Sequence, residues 1–471
     1  MANELYLQSS DGILRFDMLD DSGFCLENDW DAAIARELEA RPGQEATVPV
    51  AYAPVTEQFN LYARVTDDNS GDIHAQWKIL VDFKETMRRY RANADAQDYV
   101  WLYVRTDQGL YRSLVQKIDI DYPSNQTNPF LTNGIWYMVV RLIRHPFWES
   151  PSPTDTNLTP DPIFYYKYNY TGGGDVTGRI SKFEVDGTRT IGSMHQGYYA
   201  GWKSGNKDDT SGWVWYWDFA NGTNGTDTND TAATGSRSGT VARVSFATDT
   251  NLVNRSTISL SDSGVTADLH HNRGTYLLLL RYAASGGASI SYGIRTKYTG
   301  LSTGNFITGN MHYVDGETTP GWRLLPLDVV SLPWGIGKMD LSRFDLDTLF
   351  GSLTILLEAE RFGGSGNLDL DSLWFIPYNN HVIVEDIPVS LASWTEVQHL
   401  PDDRLEAISL STSGSDSFFE SSPTPISRNW GVPNENGSLV VLLDNKDQTG
   451  LSVDLFIDIA MSYHTRSLFI R

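Results

Sequence analysis

A long apolar segment that stops at prolines is the feature that most constrains the fold of this chain. Residues 136–149 (WYMVVRLIRHPFWE) are rich in aromatic and branched side chains, which favour strands, and SPSPT follows at once. Prolines among serine and threonine are typical of a linker. Beyond them the composition shifts toward glycine, asparagine, threonine and aromatic residues. The sequence therefore predicts a modular chain, with a first domain at 1–149 and a Pro/Ser linker at 150–162.

The first domain combines two periodicities. Residues 59–65 alternate apolar and polar side chains, as a half-buried strand does. Residues 72–92 carry their apolar side chains at helical spacing, and Asp72 lies near the positive end of the helix dipole. A turn containing Gly109 joins two further strand-like segments. We expect an N-terminal β-sandwich or barrel with one α-helix.

The rest of the chain has the pattern of a β protein. Residues 163–390 hold turn signals such as Asp315-Gly316 between roughly eight short strand candidates, which predicts a large two-sheet jelly-roll β-sandwich. Residues 391–471 end in the apolar segment 466–471, and a terminus of this kind is usually tied into a sheet. We expect a mainly β fold in which this C-terminal β segment packs back on the other modules.

Composition excludes several classes of function. The chain has 36 Lys and Arg against 59 Asp and Glu, a net charge of −23 that repels nucleic acid and anionic membranes. No segment approaches the about 20 apolar residues of a membrane helix, and residues 1–4 lack the features of a signal peptide. Cys25 is the only cysteine, which excludes an internal disulfide. We expect synthesis in a cytoplasm, no sequence-specific binding of nucleic acid and no membrane insertion.

No catalytic or metal-binding motif stands out. His270 and His271 are the only adjacent histidines, and neighbours on a strand point to opposite faces, so they are poorly placed to chelate one metal ion. The sequence also lacks the His-Glu-x-x-His, Gly-x-Ser-x-Gly and phosphate-binding glycine motifs. We predict that the chain is not an enzyme and that it has no catalytic residues, no metal site and no cofactor.

Acidic side chains spaced two apart leave two alternatives open, because such residues share one face of a strand. The pairs are Glu358 with Glu360, Asp369 with Asp371, and Asp345 with Asp347. A glycosidase needs two carboxyls roughly 5–10 Å apart, although an acidic chain produces such pairs by chance. Calcium is the other alternative, since Asp369, Asp371 and the turn at 363–367 offer several oxygens, without the spacing of an EF-hand.

Four tryptophans near the middle of the chain have two interpretations. They are Trp202, Trp213, Trp215 and Trp217. Exposed aromatic rings can stack on sugar rings, which makes these residues the candidate glycan contacts. Three of them, Trp213, Trp215 and Trp217, alternate along one strand, which is also how one face of a sheet is filled, and packing in a core is the favoured interpretation.

Several segments resemble proteins of long-tailed bacteriophages. The first domain is similar to the N-terminal part of distal-tail-like and minor tail proteins in residues 55–61 (VTEQFNL), the single helix, the hairpin 102–120 and the strand ending in RHPFWE at 144–149. The second module is similar to the carbohydrate-binding-like jelly roll attached in such proteins, in residues 276–281 (YLLLLR), 332–333 (LP) and 366–377 (GNLDLDSLWFIP). The Asn- and Thr-rich region 204–262 lies outside the resemblance.

The resemblance implies a structural virion protein at the tail tip, assembled in the host cytoplasm. It implies a ring, commonly a hexamer, that joins the tail tube to the baseplate or receptor-binding apparatus. The expected partners are further copies of the chain, the tail tube protein and tail hub or baseplate proteins. Two alternatives remain: a glycan-binding adhesin that contacts host surface glycans, and a polysaccharide depolymerase that uses Glu358 or Asp371.

Overall fold

Antiparallel strands and one long α-helix make up the computed structural model over its described residues, which confirms the predicted mainly β fold. The structure describes residues 3–19, 23–27, 30, 32–33, 53–92, 99–121, 134–160, 165–170, 176–187, 191–200, 216–246, 251–261, 274–299, 306–332, 352–378, 381–387, 393–399, 405–411, 417–418, 424–425, 431–432, 437–445, 449–451 and 457–467. None of the sheets in these ranges closes into a barrel. Of the two predicted forms of the first domain, sandwich or barrel, the described residues therefore do not form the barrel.

The elements follow one another in four groups along the chain. The first group is β1 (Glu4–Ser9), β2 (Arg15–Asp17), β3 (Cys25–Leu26), β4 (Val55–Arg64), α1 (Ser70–Ala92), β5 (Val100–Thr106), β6 (Gly109–Asp121), β7 (Ile135–Arg144) and β8 (Trp148–Glu149). The second is β9 (Thr154–Asn157), β10 (Thr159–Pro160), β11 (Tyr165–Tyr170), β12 (Val176–Gly187) and β13 (Ile191–Ala200).

The third group is β14 (Tyr216–Asp218), a short 3₁₀ turn (Phe219–Asn221), β15 (Thr223–Asn224), β16 (Thr228–Ala232), β17 (Thr240–Val244), β18 (Val253–Ser261), β19 (Gly274–Ala284), β20 (Ser291–Thr299), β21 (Phe306–Thr308), β22 (His312–Asp315), β23 (Arg323–Leu332), β24 (Ser352–Phe362) and β25 (Leu368–Pro377). The last is β26 (His381–Ile387), β27 (Ser393–His399), β28 (Leu405–Ser411), β29 (Ser417–Phe418), β30 (Thr424–Pro425), β31 (Gly431–Val432), β32 (Gly437–Asn445) and β33 (Ile457–Ser467).

The first domain encloses its own core between two sheet regions that share β6. One region runs β2-β1-β5-β6-β8 and the other runs β3-β4-β7-β6. Every second residue of β4 and of β7 is buried, and the two strands pair antiparallel along their whole length. The alternation seen in the sequence therefore produces one face of packed side chains and one outer face.

Helix α1 supplies the other wall of this core. Its apolar residues Ile73, Leu80, Phe83 and Met87 are buried there, as the helical spacing predicts. At its start, the amide of Ile73 donates to the carbonyl of Asn69, whose side chain in turn accepts from the amide of Thr66. Within the described residues, no helix has the length and apolar character that a membrane crossing needs.

A middle core lies between two further sheet regions. Strands β33, β12, β27 and β28 form one side, and β10-β11-β32-β13-β26-β30 form the other. Within the predicted linker, β9 pairs with β33 and β10 pairs with β11. Strands from both 163–390 and 391–471 thus contribute to this core, while the predicted domain limits themselves stay a prediction.

A third core fills the space between two sheets formed by residues 216–378. One sheet runs β16-β17-β25-β19-β23 with β14 beside β25, and the other runs β15-β18-β24-β20-β21 with β22 beside β20. Strand β32 connects the middle and third cores, because Leu439 and Val441 face the former while Val440 and Leu442 face the latter. Its sheet is therefore buried on both faces. The jelly-roll topology stays a prediction.

Candidate interaction surfaces

The structure places one of the four candidate glycan-binding tryptophans inside a core. Trp217 on β14 is only 9% exposed and packs in the third core with Phe219 and Tyr216. Trp202, Trp213 and Trp215 lie outside the described residues, so glycan contact by the cluster stays a prediction. The position of Trp217 agrees with the interpretation of these residues as core packing.

The carboxylates of the depolymerase alternative are held in ion pairs on two different sheets. Glu358 on β24 contacts Arg295 at 2.7 Å and Lys297 at 3.5 Å. Asp369 on β25 accepts two hydrogen bonds from Arg243, at 2.6 and 2.7 Å. Carboxylates locked to guanidinium groups in this way stabilise a fold more readily than they transfer protons to a substrate.

Asp371 is the most deeply buried of these acids. It accepts hydrogen bonds from Arg281 at 2.8 Å, from the hydroxyl of Ser372 at 2.8 Å and from the amide of Arg237 at 2.7 Å. No group of three or more His, Cys, Asp or Glu side chains in the described ranges converges as metal ligands would. His270, His271, Asp345 and Asp347 lie outside those ranges.

A buried carboxylate joins the first domain to the middle core. Glu149 at the end of β8 accepts hydrogen bonds from Arg179 of β12 at 2.9 and 3.0 Å and from Arg112 of β6 at 3.1 and 3.2 Å. Arg466 of β33 is 3.5 Å away. Burial alone would raise the pKa of Glu149, but the charges and hydrogen bonds of these arginines outweigh it and hold the pKa well below its usual range.

A second buried ion pair lies within the first domain. Arg144 donates to Glu57 at 2.8 Å and to the carbonyl of Ala33 at 2.7 Å, and its guanidinium lies 4.3 Å from the ring centroid of Trp148. The indole nitrogen of Trp30 donates to the same carboxylate at 3.1 Å. The conspicuous sequence 144–149 thus encodes two buried charge networks, one within the domain and one at its boundary.

Sequence reasoning missed these networks, although a signal was present. Glu57 and Arg144 occupy positions of β4 and β7 whose alternation points into the core. A charge at a core position is rare unless it is paired. In the strand register, Arg144 lies opposite Val55, two residues before Glu57 on the same face of β4, so the two charged residues are diagonal neighbours. The sequence alone does not reveal this register.

The boundary between the middle and third cores holds a different set of buried ionisable groups. Asp444 of β32 accepts a hydrogen bond from the amide of Leu324 at 3.4 Å, while Arg323 donates to the carbonyl of Asn445 at 2.7 Å. Burial raises the pKa of Asp444 to about 6, against the opposing pull of Arg323 and Arg281. The cations near this acid, unlike those around Glu149, only partly offset the effect of burial on its pKa.

Two histidines stack on β13 and β26, which follow β32 in its sheet. The rings of His195 and His381 are 5.3 Å apart and nearly parallel, with Nδ1 of His195 and Nε2 of His381 separated by 3.1 Å. Burial lowers the pKa of His195 to about 3, and burial together with His195 lowers that of His381. Both rings are therefore neutral at physiological pH, and they fill the interior.

The outer face of β4 and β7 exposes an apolar surface on the first domain. Tyr62 and Tyr137 lie opposite each other in register, with ring centroids 6.5 Å apart and planes inclined by 41°. They are 37% and 42% exposed, and Ile135 on the same face is 50% exposed. We name these three residues the β4–β7 patch.

Basic and polar residues border the β4–β7 patch beside the half-buried Val139. Exposed Arg64 lies opposite Ile135, and Arg141 follows further along the same face of β7. Arg141 forms an ion pair with Asp121 and donates to Gln58 at 3.2 Å. An apolar centre with a polar, partly cationic rim is the usual composition of a surface that contacts another protein.

Comparison with known proteins gives weak likenesses. No family model and no curated protein matches the chain. A chain from the phage P2 baseplate in its activated conformation with calcium is 10% identical and aligns over 79% of this chain and 98% of its own, with a TM-score of 0.23. The strontium form gives 10% identity, 78% and 97% coverage and a TM-score of 0.22. The VP2 subviral particle of infectious bursal disease virus gives 8% identity, 68% and 81% coverage and a TM-score of 0.17. These TM-scores are too low to establish a shared fold or function.

Proposed function

We propose that the chain is a structural component of the tail tip of a long-tailed phage, where its first domain forms a ring of copies. The ring, a hexamer, would join the tail tube to the baseplate or receptor-binding apparatus of the virion. The observation that carries this proposal is the β4–β7 patch, an exposed apolar surface on a domain whose described residues already form a core of their own.

The composition of the patch favours a second copy of the chain as its occupant. Tyrosines at the centre of an interface contribute a large share of binding energy. Arg64 at the rim would meet a chain whose net charge is −23, so an acidic surface of the neighbouring copy would complement it. A contact between two different surfaces of identical copies closes into a ring when the rotation between them is suitable.

The internal architecture supports a mechanical role. Each boundary between cores is crossed by hydrogen bonds between strands or side chains, such as Ser467 of β33 paired with Trp148 of β8. The candidate acids Glu358, Asp369 and Asp371 are occupied by arginines. Absence of enzyme activity remains part of the proposal.

The test is the oligomeric state of the purified chain. Native mass spectrometry and electron microscopy at about 10–100 µM, the range in which a modest interface is populated, should show rings of the wild-type chain. The variant Tyr62→Ser/Tyr137→Ser should be monomeric at the same concentration. The matched control is Tyr313→Ser/Phe362→Ser, which removes a second pair of exposed aromatic side chains, on β22 and β24. This variant should assemble into the same oligomeric rings as the wild-type chain. A wild-type chain that is monomeric throughout this range and absent from purified virions overturns the proposal.

A further inference from the structure

A second exposed aromatic pair lies on the outer face of the third core. Tyr313 of β22 and Phe362 of β24 are 65% and 44% exposed. Their ring centroids are 6.1 Å apart, and the planes are inclined by 47°. Neither ring contributes to a core, and a pair of large rings left in solvent needs an explanation.

The strand register places this pair at opposite corners of a small grid. Across β22, β20 and β24, one row is Asp315, Ser291 and Phe362, and the next row is Tyr313, Gly293 and Glu360. The residues in the central strand are the two smallest in the grid, so the rings lean toward each other over its middle. The two remaining corners are carboxylates.

Glycine at the centre of this grid leaves room for two neighbouring side chains. A Cβ at Gly293 would lie 3.1 Å from Cγ and Oε1 of Glu360 and 3.2 Å from the sulfur of Met311. The Glu360 carboxylate and the Met311 thioether therefore already occupy the space above Gly293. The floor of the grid presents an anionic oxygen and a polarisable sulfur beside two aromatic faces.

Charge distinguishes this grid from its surroundings. Among the described residues, none forms a hydrogen bond or an ion pair with the carboxylate of Asp315 or of Glu360. The cations further along the same face are occupied, because Arg295 and Lys297 both contact Glu358. Within the described part of the chain, the two carboxylates beside the rings thus have no ion-pair partner of their own.

The size of the grid argues for a small ligand. A stable protein interface buries about 800 Å² on each partner, whereas this apolar surface consists of two side chains bordered by charges. Aromatic faces attract cations through the ring quadrupole, and carboxylates attract them directly. A quaternary ammonium group suits both, because it is weakly hydrated and loses little on leaving water.

We infer that Tyr313, Phe362, Glu360 and Asp315 form a binding site for a small organic ammonium ion of the choline type. The rings contact the methylated nitrogen from two sides, and the carboxylates neutralise its charge. Because the site is open to solvent, the expected affinity is modest, with a Kd of about 1–10 mM. The site is independent of the β4–β7 patch and of the proposed role in the virion.

The experiment is a titration of the full chain with choline chloride, followed by ligand-observed NMR. Tyr313→Ala/Phe362→Ala should weaken binding at least about tenfold, and the near-isosteric Glu360→Gln should weaken it about three- to tenfold. The neutral analogue 3,3-dimethylbutan-1-ol has the same shape as choline and should bind at least about tenfold more weakly, because it lacks the charge. The matched control Tyr62→Ala/Tyr137→Ala should bind choline like the wild-type chain.

Three outcomes overturn the inference. Equal binding of the neutral analogue would show that the rings recognise apolar shape alone. Tighter binding of methyl glucoside than of choline would make the pair a saccharide platform. Absence of binding at a choline concentration about ten times the expected Kd would show that the site does not exist. An equal loss of choline affinity in the Tyr62→Ala/Tyr137→Ala control would show the same. Melting temperatures of the variants, expected to match the wild type because both rings lie outside the core, confirm that each comparison is made on folded protein.

Discussion

The first domain and the third core each expose one aromatic pair, and the two pairs differ in their neighbours rather than in their geometry. Tyr62 and Tyr137 are 6.5 Å apart and inclined by 41°, and Tyr313 and Phe362 are 6.1 Å apart and inclined by 47°. The first pair lies beside Ile135 and Arg64, whereas the second lies between two carboxylates. The same ring arrangement therefore suits a protein contact in one place and a small cation in the other.

The two regions also differ in how they join the middle core. The first domain meets it through Glu149, whose single carboxylate contacts three arginines. The third core meets it at Asp444, whose burial is only partly offset and whose pKa rises to about 6. Burial raises the pKa of both acids, but the three arginines outweigh it at Glu149, whereas the cations near Asp444 do not.

The largest expected effect comes from removing the charge at the first junction. Glu149→Gln would leave Arg112, Arg179 and Arg466 close together without their carboxylate, which typically costs about 3–5 kcal/mol of unfolding free energy. Calorimetry should show this loss, while choline binding at Tyr313 should persist below the first unfolding transition. The control Glu4→Gln removes the exposed partner of Arg105 and should cost at most about 1 kcal/mol.

The pH dependence of that loss provides an internal check. The folded-state pKa of Glu149 is depressed, so its stabilising contribution is present above its unfolded value of about 4.5 and is lost as the pH falls below it. The difference between wild type and Glu149→Gln should therefore shrink below about pH 4.5. A difference that stays constant across that range would contradict the assignment of Glu149 as a charged carboxylate.

The next largest effect concerns self-association through the β4–β7 patch. Two tyrosines at the centre of an interface cost about 2 kcal/mol each when truncated, so Tyr62→Ser/Tyr137→Ser should raise the dissociation constant at least about 100-fold. Sedimentation velocity measures this directly. An equal effect of Tyr313→Ser/Phe362→Ser would mean that the two aromatic pairs do not have separate roles.

Local periodicity predicted elements of the first domain, because strand alternation and helical spacing depend only on residues that are close together in the sequence. The helix expected at 72–92 is observed as Ser70–Ala92, and the strand expected at 59–65 lies within or beside Val55–Arg64. The functional surfaces were not predicted. Tyr313 and Phe362 belong to different strands and meet only because both pair with β20.

The buried ion-pair networks also could not be predicted from local sequence patterns. Glu149 stands at the end of a segment that the sequence singled out, but its partners Arg179 and Arg466 come from β12 and β33. Alternation can indicate that a charge points inward, as for Arg144. It cannot identify the partner, because sheet order places strands together that are hundreds of residues apart in the chain.

A smaller effect is expected at the second junction. The raised pKa of Asp444 means that the folded state binds its proton more tightly than the unfolded state, so the wild type loses stability as the pH rises from about 4 through about 6. The asparagine of Asp444→Asn does not titrate, so the variant avoids this loss. Because the Asp444 side chain keeps some exposure, we expect the unfolding free energy of the variant, relative to the wild type, to be about 1–2 kcal/mol higher at pH 8 than at pH 4. Chemical denaturation at the two pH values measures this difference. The titration of His195 and His381 is common to both proteins and cancels.

The smallest expected effect is a difference in salt dependence between choline binding at Tyr313 and Phe362 and self-association through the β4–β7 patch. Raising sodium chloride from about 0.05 M to about 0.5 M shortens the Debye length from about 14 Å to about 4 Å. Choline binding near Glu360 and Asp315 is electrostatic in part and should weaken about two- to fourfold, whereas self-association through the β4–β7 patch is mainly apolar and should change less than about twofold. Glu360→Gln/Asp315→Asn should reduce the salt dependence of choline binding, because the two carboxylates beside the rings are then neutral. A parallel decline of both affinities would show that charge around the rings does not distinguish the two surfaces.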